Sequence, residues 1–149
     1  MNNELKIYFK IIHNQLEAGF NKRYRKYGLT STQLDLLLYL SQEPARENTL
    51  SDIAAHFDVK HTSVIHVLKI LERKGLVCKR PVQGARSKSI LLTDSGRQLG
   101  NQLISEMSEK GPQLDKIMFA GLSEADKQLL EKMLRQIYTN LKSDAFKNL

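Results

Sequence analysis

At 149 residues, with 41% hydrophobic and 26% charged side chains and only 8 Gly and 3 Pro, the chain suits one globular, helix-rich domain or one protomer of an oligomer rather than a disordered or collagen-like protein. No apolar run approaches the roughly 18 residues of a membrane-spanning helix, the first residues lack the apolar core of a signal peptide, and a single cysteine excludes an internal disulfide and fits a reducing, cytoplasmic setting. The formal charge of +7 is confined to residues 60–97, where Lys60, Lys69, Arg73, Lys74, Lys79, Arg80, Arg86, Lys88 and Arg97 face only Glu72 and Asp94, while seven basic and seven acidic side chains balance on each flank. Many charged stretches are only solvated faces, but a basic middle between neutral flanks indicates an anionic partner, with nucleic acid leading.

From Glu4 to Tyr27, Leu5, Tyr8/Phe9, Ile12, Leu16, Phe20, Tyr24 and Tyr27 recur at steps of three and four, the stripe of a helix ended by Gly28. Lys22, Arg23, Arg25 and Lys26 near its end read either as snorkelling side chains or as a subsidiary phosphate-facing patch. Thr30 and Gln33 form a capping box that opens a second helix over Leu34 to Ser41, with a nearly all-apolar run from Leu36 to Leu40. Glu43 to Asn48 is expected to be the loop that stops it, and Thr49 starts a short third helix with Ile53, Ala54 and Phe57 inward.

A fourth helix is expected from His61 to Lys74, terminated by Gly75. Val64, Val67/Leu68 and Leu71 form its apolar face, and Thr62, Ser63, His66, Lys69 and Arg73 the opposite one. Two short helices joined by a tight turn, the second polar and basic outside, make a helix-turn-helix pattern. The period then changes to that of a hairpin, with Leu76–Arg80 and Lys88–Leu92 as strands and Gly84 near the tip. Together these describe a winged helix-turn-helix: mainly α, with a small two- to three-stranded β-wing.

Thr93 to Ser95 caps a fifth helix with Leu99, Leu103/Ile104 and Met107 inward, which Gly111-Pro112 is expected to break or kink. Leu114, Ile117, Met118 and Phe119 resume the pattern, and Ser123 starts a last helix striped by Leu129/Leu130, Met133/Leu134, Ile137/Tyr138 and Leu141. Residues 30–95 suffice for a winged-helix lobe, so the stripes of 1–29 and 96–149 are read as dimerisation helices of a single protomer spanning 1–149. A monomeric helical bundle is the alternative.

Leu29-Thr30-Ser31-Thr32-Gln33, Leu50-Ser51-Asp52-Ile53-Ala54, Thr62-Ser63-Val64, Leu71-Glu72-Arg73-Lys74-Gly75-Leu76-Val77, Leu92-Thr93-Asp94-Ser95-Gly96 and Gly121-Leu122-Ser123-Glu124 occur in order along the chain. Each is weak alone; together they resemble the MarR (multiple antibiotic resistance regulator) family over nearly the whole length. The resemblance implies a homodimeric bacterial or archaeal transcription factor, cytoplasmic and nucleoid-associated and acting as a repressor. It further implies a palindromic double-stranded DNA operator, the fourth helix in the major groove, the wing in the minor groove, and release by a small aromatic or phenolic effector. Two departures stand out. Gly84 occupies a wing position where many members carry an Asp that buttresses a minor-groove arginine, here Arg86, and Ile65-His66 replaces a Ser-Arg-like pair on the recognition helix.

Arg86 is the leading candidate for the minor groove. Thr62, Ser63, His66 and His61 are candidates for base or phosphate contact, and Lys69, Arg73, Arg80 and Lys88 for phosphates, against the plainer reading of each as a surface residue. Cys78 reads as a small buried residue rather than a redox sensor. The four histidines show no metal-ligand spacing, and no cofactor is called for; His13 is a weak candidate for an effector pocket whose residues are otherwise unknown. No nucleophile elbow, phosphate-cradling glycine loop or convincing carboxylate pair suggests an enzyme. Non-specific DNA coating and a winged helix for protein contact remain the rival readings.

Overall fold

α1 runs from Asn3 to Tyr24 and passes into a 3-10 turn, Arg25–Tyr27. Gly28 ends it with φ +66°, its N–H donating to the Arg25 carbonyl, in the left-handed conformation that glycine adopts without steric cost. The computed structural model describes residues 3–42 and 48–148. α2 (Ser31–Gln42), α3 (Leu50–Phe57), α4 (His61–Arg73), the strands β1 (Val77–Pro81) and β2 (Lys88–Leu92), α5 (Asp94–Met118), α6 (Glu124–Leu141) and the one-turn α7 (Asp144–Lys147) follow. The expected loop after α2 lies, from Glu43 to Glu47, outside the described residues.

Two compact units divide the chain, Met1–Ser105 and Glu106–Leu149. In the first, Leu37, Ile53, Leu68, Leu71 and Leu103 are completely or almost completely buried and join Tyr24, Leu34, Val64 and Ile90 in one core. Full burial of a side chain this size stabilises by about 1.5–3 kcal/mol, so the helix-turn-helix and the wing share one stabilising centre. α2 begins at Ser31, directly after the Thr30/Gln33 box: Gln33 N–H donates to Thr30 Oγ1 at 3.3 Å and Thr30 N–H to Gln33 Oε1 at 3.2 Å. α3 repeats the device with Thr49 and Asp52. The turn to α4 places Asp58 at φ +53°, a conformation its short polar side chain tolerates.

The sheet is two-stranded and antiparallel, with Val77 opposite Leu92 and Pro81 opposite Lys88. A single bridge from Asn48 to Ile90 is the third-strand contact, and Tyr39 Oη donates to the buried Asn48 side chain at 2.9 Å. Cys78 is exposed, contrary to the expectation that it is buried. Leu76 and Val77 are both buried, and the rest of β1 from Cys78 to Pro81 is exposed, so burial does not alternate along this strand.

α5 is continuous across Gly111-Pro112, so the expected break does not occur. Proline normally drives its predecessor out of the helical region by clashing with that residue's Cβ, and Gly111 has none. The start of α5 is held tightly. Thr93 Oγ1 accepts from Gly96 N–H at 3.0 Å and donates to the Gly75 carbonyl at 2.5 Å, while Thr93 N–H donates to the Leu76 carbonyl at 3.1 Å. A Cβ added at Gly96 would overlap the Leu76 carbonyl.

In the second unit, Ser123 caps α6 in a capping box with Asp126, whose carboxyl the Ser123 hydroxyl and N–H hold below its ordinary range. α6 has no buried residue, and Leu129, Met133, Leu134, Ile137, Tyr138 and Leu141 stand exposed along it. No helix is long and apolar enough to cross a membrane, among the described residues.

Gly96→Ala is expected to lower unfolding free energy by about 1–3 kcal/mol or more, because backbone at Leu76 must move. Gly19→Ala, in α1 with no neighbour within 4 Å, should instead stabilise by about 0.5–1 kcal/mol. Urea denaturation of both variants checks the contrast.

Candidate nucleic-acid interface

α4 is two-faced for a simple reason of spacing. Val64, Leu68 and Leu71, at steps of four and three, are buried, which leaves His61, Thr62, Ser63, His66, Lys69 and Arg73 exposed. The helix also starts without a cap. Lys60 stands at the N-cap with no side-chain acceptor, so the first-turn N–H groups of His61 and Thr62 lie beside the positive end of the helix dipole. α3, by contrast, is closed by its capping box. An open helix start beside lysine and histidine suits a phosphate oxygen.

The wing extends the same exposed chemistry. Arg80 pairs in register with Ser89, and Lys88 with Pro81, at the outer end of the hairpin. Ala85 N–H donates to the Val82 carbonyl at 3.1 Å to close the tip, and Gly84 takes φ +75°. Arg80, Arg86 and Lys88 are all exposed. The structure thus brings the expected residues onto one lobe, in two groups: six on the outer face of α4 and three on the hairpin.

Two basic side chains of this segment serve internally instead. Lys74 Nζ donates to the Gly28 carbonyl at 2.7 Å, tying the end of α4 to the α1–α2 junction, and Lys79 pairs with Glu72 at 3.2 Å. Glu72 is the only acid between His61 and Leu92, and this pairing offsets its charge beside the basic face. Near the end of α1, Lys26 Nζ lies 4.8 Å from the Tyr27 ring centroid, the cation–π form of the snorkelling read from sequence.

Sequence reasoning missed most of a groove of about 340 Å3 walled by α1, α2, α3 and α4. His13 and Glu17 line it from α1, Asp35 and Leu36 from α2, and Phe57 from α3. Ser63, Val64 and Val67 line it from α4, the helix that carries the basic outer face. His13 therefore lies where a pocket was anticipated, 3.9 Å from Glu17. Glu17 also accepts from Ser31 Oγ at 2.9 Å. Asp35 is reachable from solvent, yet neighbouring protein strips enough water from its carboxyl to raise it above the ordinary 3.8, and the charge of Glu17 adds to the shift. The available sequence signal was a lone acid inside the apolar run of α2. No group of three His, Cys, Asp or Glu side chains could hold a metal, among the described residues.

A helix-turn-helix followed by a hairpin and flanked by helices at both ends defines a winged helix-turn-helix protein. The MarR family profile matches residues 27–86. The HTH-type transcriptional repressor IacR of Pseudomonas putida is 25% identical over 133 residues, covering 89% of this chain and 76% of that protein. The MepR–DNA complex of Staphylococcus aureus superposes with a TM-score of 0.83 at 25% identity, covering 95% of this chain and all of that one. MarR from Oenococcus oeni PSU-1 gives 0.74 at 27% identity, over 91% and 99% of the two chains. Residues 27–86 thus match the MarR family, and over most of its length the chain is similar to transcriptional regulators.

Asp35 yields a pH-dependent prediction. Its folded-state pKa is raised, so between 3.8 and that higher value the folded protein binds more protons than the unfolded one. Unfolding free energy must fall as pH rises through this window, and the loss persists at neutral pH. Asp35→Asn is expected to be more stable than the parent at pH 7, with the difference shrinking toward pH 3. Urea midpoints at the two pH values test the sign.

Proposed function

We propose that this protein is a homodimeric repressor that binds a palindromic double-stranded DNA operator and leaves it when a small molecule occupies the groove behind α4. Residues 30–95 form the DNA-binding lobe, and residues 1–29 and 96–149 supply dimerisation helices. The observation that carries the reading is the exposed basic and polar side chains of α4 and the wing, which lie within the segment 60–97 that holds the excess charge of the chain. α4 enters the major groove, where Thr62, Ser63 and His66 reach base edges and His61, Lys69 and Arg73 meet phosphates. Arg86 enters the minor groove, with Arg80 and Lys88 on the flanking backbone. The DNA-bound state of MepR and the repressor role of IacR support the same reading.

Dimerisation is supported by apolar surface that neither unit covers by itself. Leu5, Tyr8, Phe9 and Ile12 of α1 are 45–63% exposed, and Ile117 reaches 77%. Large apolar side chains exposed in a stripe along a helix mark a surface that binds a partner. Two copies related by a twofold axis would bury it and present two recognition helices to two half-sites. Ligand control is supported by the groove, because Ser63, Val64 and Val67 of the proposed recognition helix line it.

Arg86→Ala is expected to weaken operator binding by about 1–3 kcal/mol, roughly 5- to 150-fold, in an anisotropy titration. The parent should lose affinity steeply with salt, by about 0.9 log unit per log salt for each phosphate neutralised. A flat salt dependence would remove the electrostatic reading, and footprinting that shows uniform coverage instead of one palindrome would favour a coating protein. Paired Leu134→Glu and Ile137→Glu changes should convert a dimer in sedimentation equilibrium to monomer and abolish operator binding. A parent that is already monomeric would overturn the dimer.

A further inference from the structure

The groove behind α4 is mostly apolar, and the charged side chains that line it are carboxylates: Glu17 from α1 and Asp35 from α2, with no Lys or Arg. The two acids are not equivalent. Glu17 accepts from Ser31 Oγ at 2.9 Å and lies 3.9 Å from His13, so it has partners in the empty protein. Asp35 is an exposed residue that lines the groove and forms no hydrogen bond or ion pair among the described residues, and neighbouring protein removes part of the water from its carboxyl. Charge that has lost part of its water without gaining a partner is costly, and an arriving cation removes that cost while apolar walls receive the rest of the ligand.

We propose that this groove binds a compact amphiphilic organic cation, an ammonium group carried on an aromatic or short aliphatic body, with Asp35 as its counter-ion. A volume of about 340 Å3 stands at the lower end of small-molecule pockets and suits one such ligand. Glu17 reinforces the negative potential from the opposite wall, while Phe57 and Val67 provide apolar contact. A phenolate or aromatic carboxylate, the class implied by family resemblance, would meet two carboxylates of like charge here. A metal ion is a poor occupant, because the acids and His13 do not form a group able to ligate one, among the described residues. The assignment rests on the reading of the protein as ligand-responsive, and it specifies the ligand's sign of charge and the residue that reads it.

A matched series separates charge from shape: 3-phenylpropylammonium, 3-phenylpropan-1-ol and 3-phenylpropanoate, titrated calorimetrically into the purified full-length protein. The cation is expected to bind at least tenfold more tightly than the anion, with the alcohol between them. Asp35→Asn should reduce cation affinity about tenfold and leave the alcohol unchanged. This variant keeps its fold, because the substitution removes an unpaired acid and not a structural bond; its thermal melt confirms that. An anion that binds as tightly as the cation, or a cation preference that survives Asp35→Asn, overturns the assignment. A parallel operator-release assay keeps the two readings apart. Asp35-dependent cation binding without DNA release supports the cation site and defeats ligand control, whereas release by the anion alone defeats the cation site and retains ligand control.

Discussion

The geometry of the basic lobe depends on the approach of α5 to the Gly75–Leu76 turn. This turn ends α4 and starts β1, so whatever fixes it fixes the angle between the helix and the wing. Thr93 does so with three bonds: its N–H to the Leu76 carbonyl, its hydroxyl to the Gly75 carbonyl, and its Oγ1 accepting from Gly96 N–H. These close only because Gly96 lacks the atom that would overlap Leu76. Leu103, fully buried seven residues on, carries the same face of α5 into the core. In the proposed complex both surfaces meet one duplex, so a misplaced turn would leave Lys69 and Arg86 individually intact and jointly useless.

Against that fixed frame, the division of polar groups becomes intelligible. Where a helix end only has to be stable, the chain closes it, as Thr30/Gln33, Thr49/Asp52 and Ser123/Asp126 do. At α4 it leaves the end open behind Lys60. An N-cap is commonly worth about 1 kcal/mol, and α4 forgoes it where the basic surface begins. The cations divide in the same way: Lys74 and Lys79 are drawn into internal contacts, whereas Lys69, Arg73, Arg86 and Lys88 face outward.

Local rules made much of this legible. The capping boxes and the apolar periods of α1, α4 and α6 were all readable, because each depends on residues three or four apart. The departures arose where a neighbour changed the rule. Gly111 relieves the clash that Pro112 would otherwise impose, so α5 continues. Leu76 and Val77 are both buried and the rest of β1 is exposed, so Cys78 does not take the buried place assigned to it. The groove was nearly invisible, since Glu17 and Asp35 stand 18 positions apart and meet only when α1 packs on α2. Asp35 inside a run that is otherwise leucine and tyrosine was the available clue, and only desolvation in the folded chain gives that clue a meaning.

The protomer retains surfaces that its own chain does not complete, and they differ in chemistry. The exposed stripes of α1 and α6 are apolar, which favours burying them against like surface. The outer face of α4 and the wing are polar and cationic, which disfavours self-association and favours a polyanion. Asp35 is a third case, a single anion whose neighbours weaken its hydration without pairing it. Val64 and Val67 of α4 line the same groove, so a ligand bound there as proposed would contact the helix that carries the basic face.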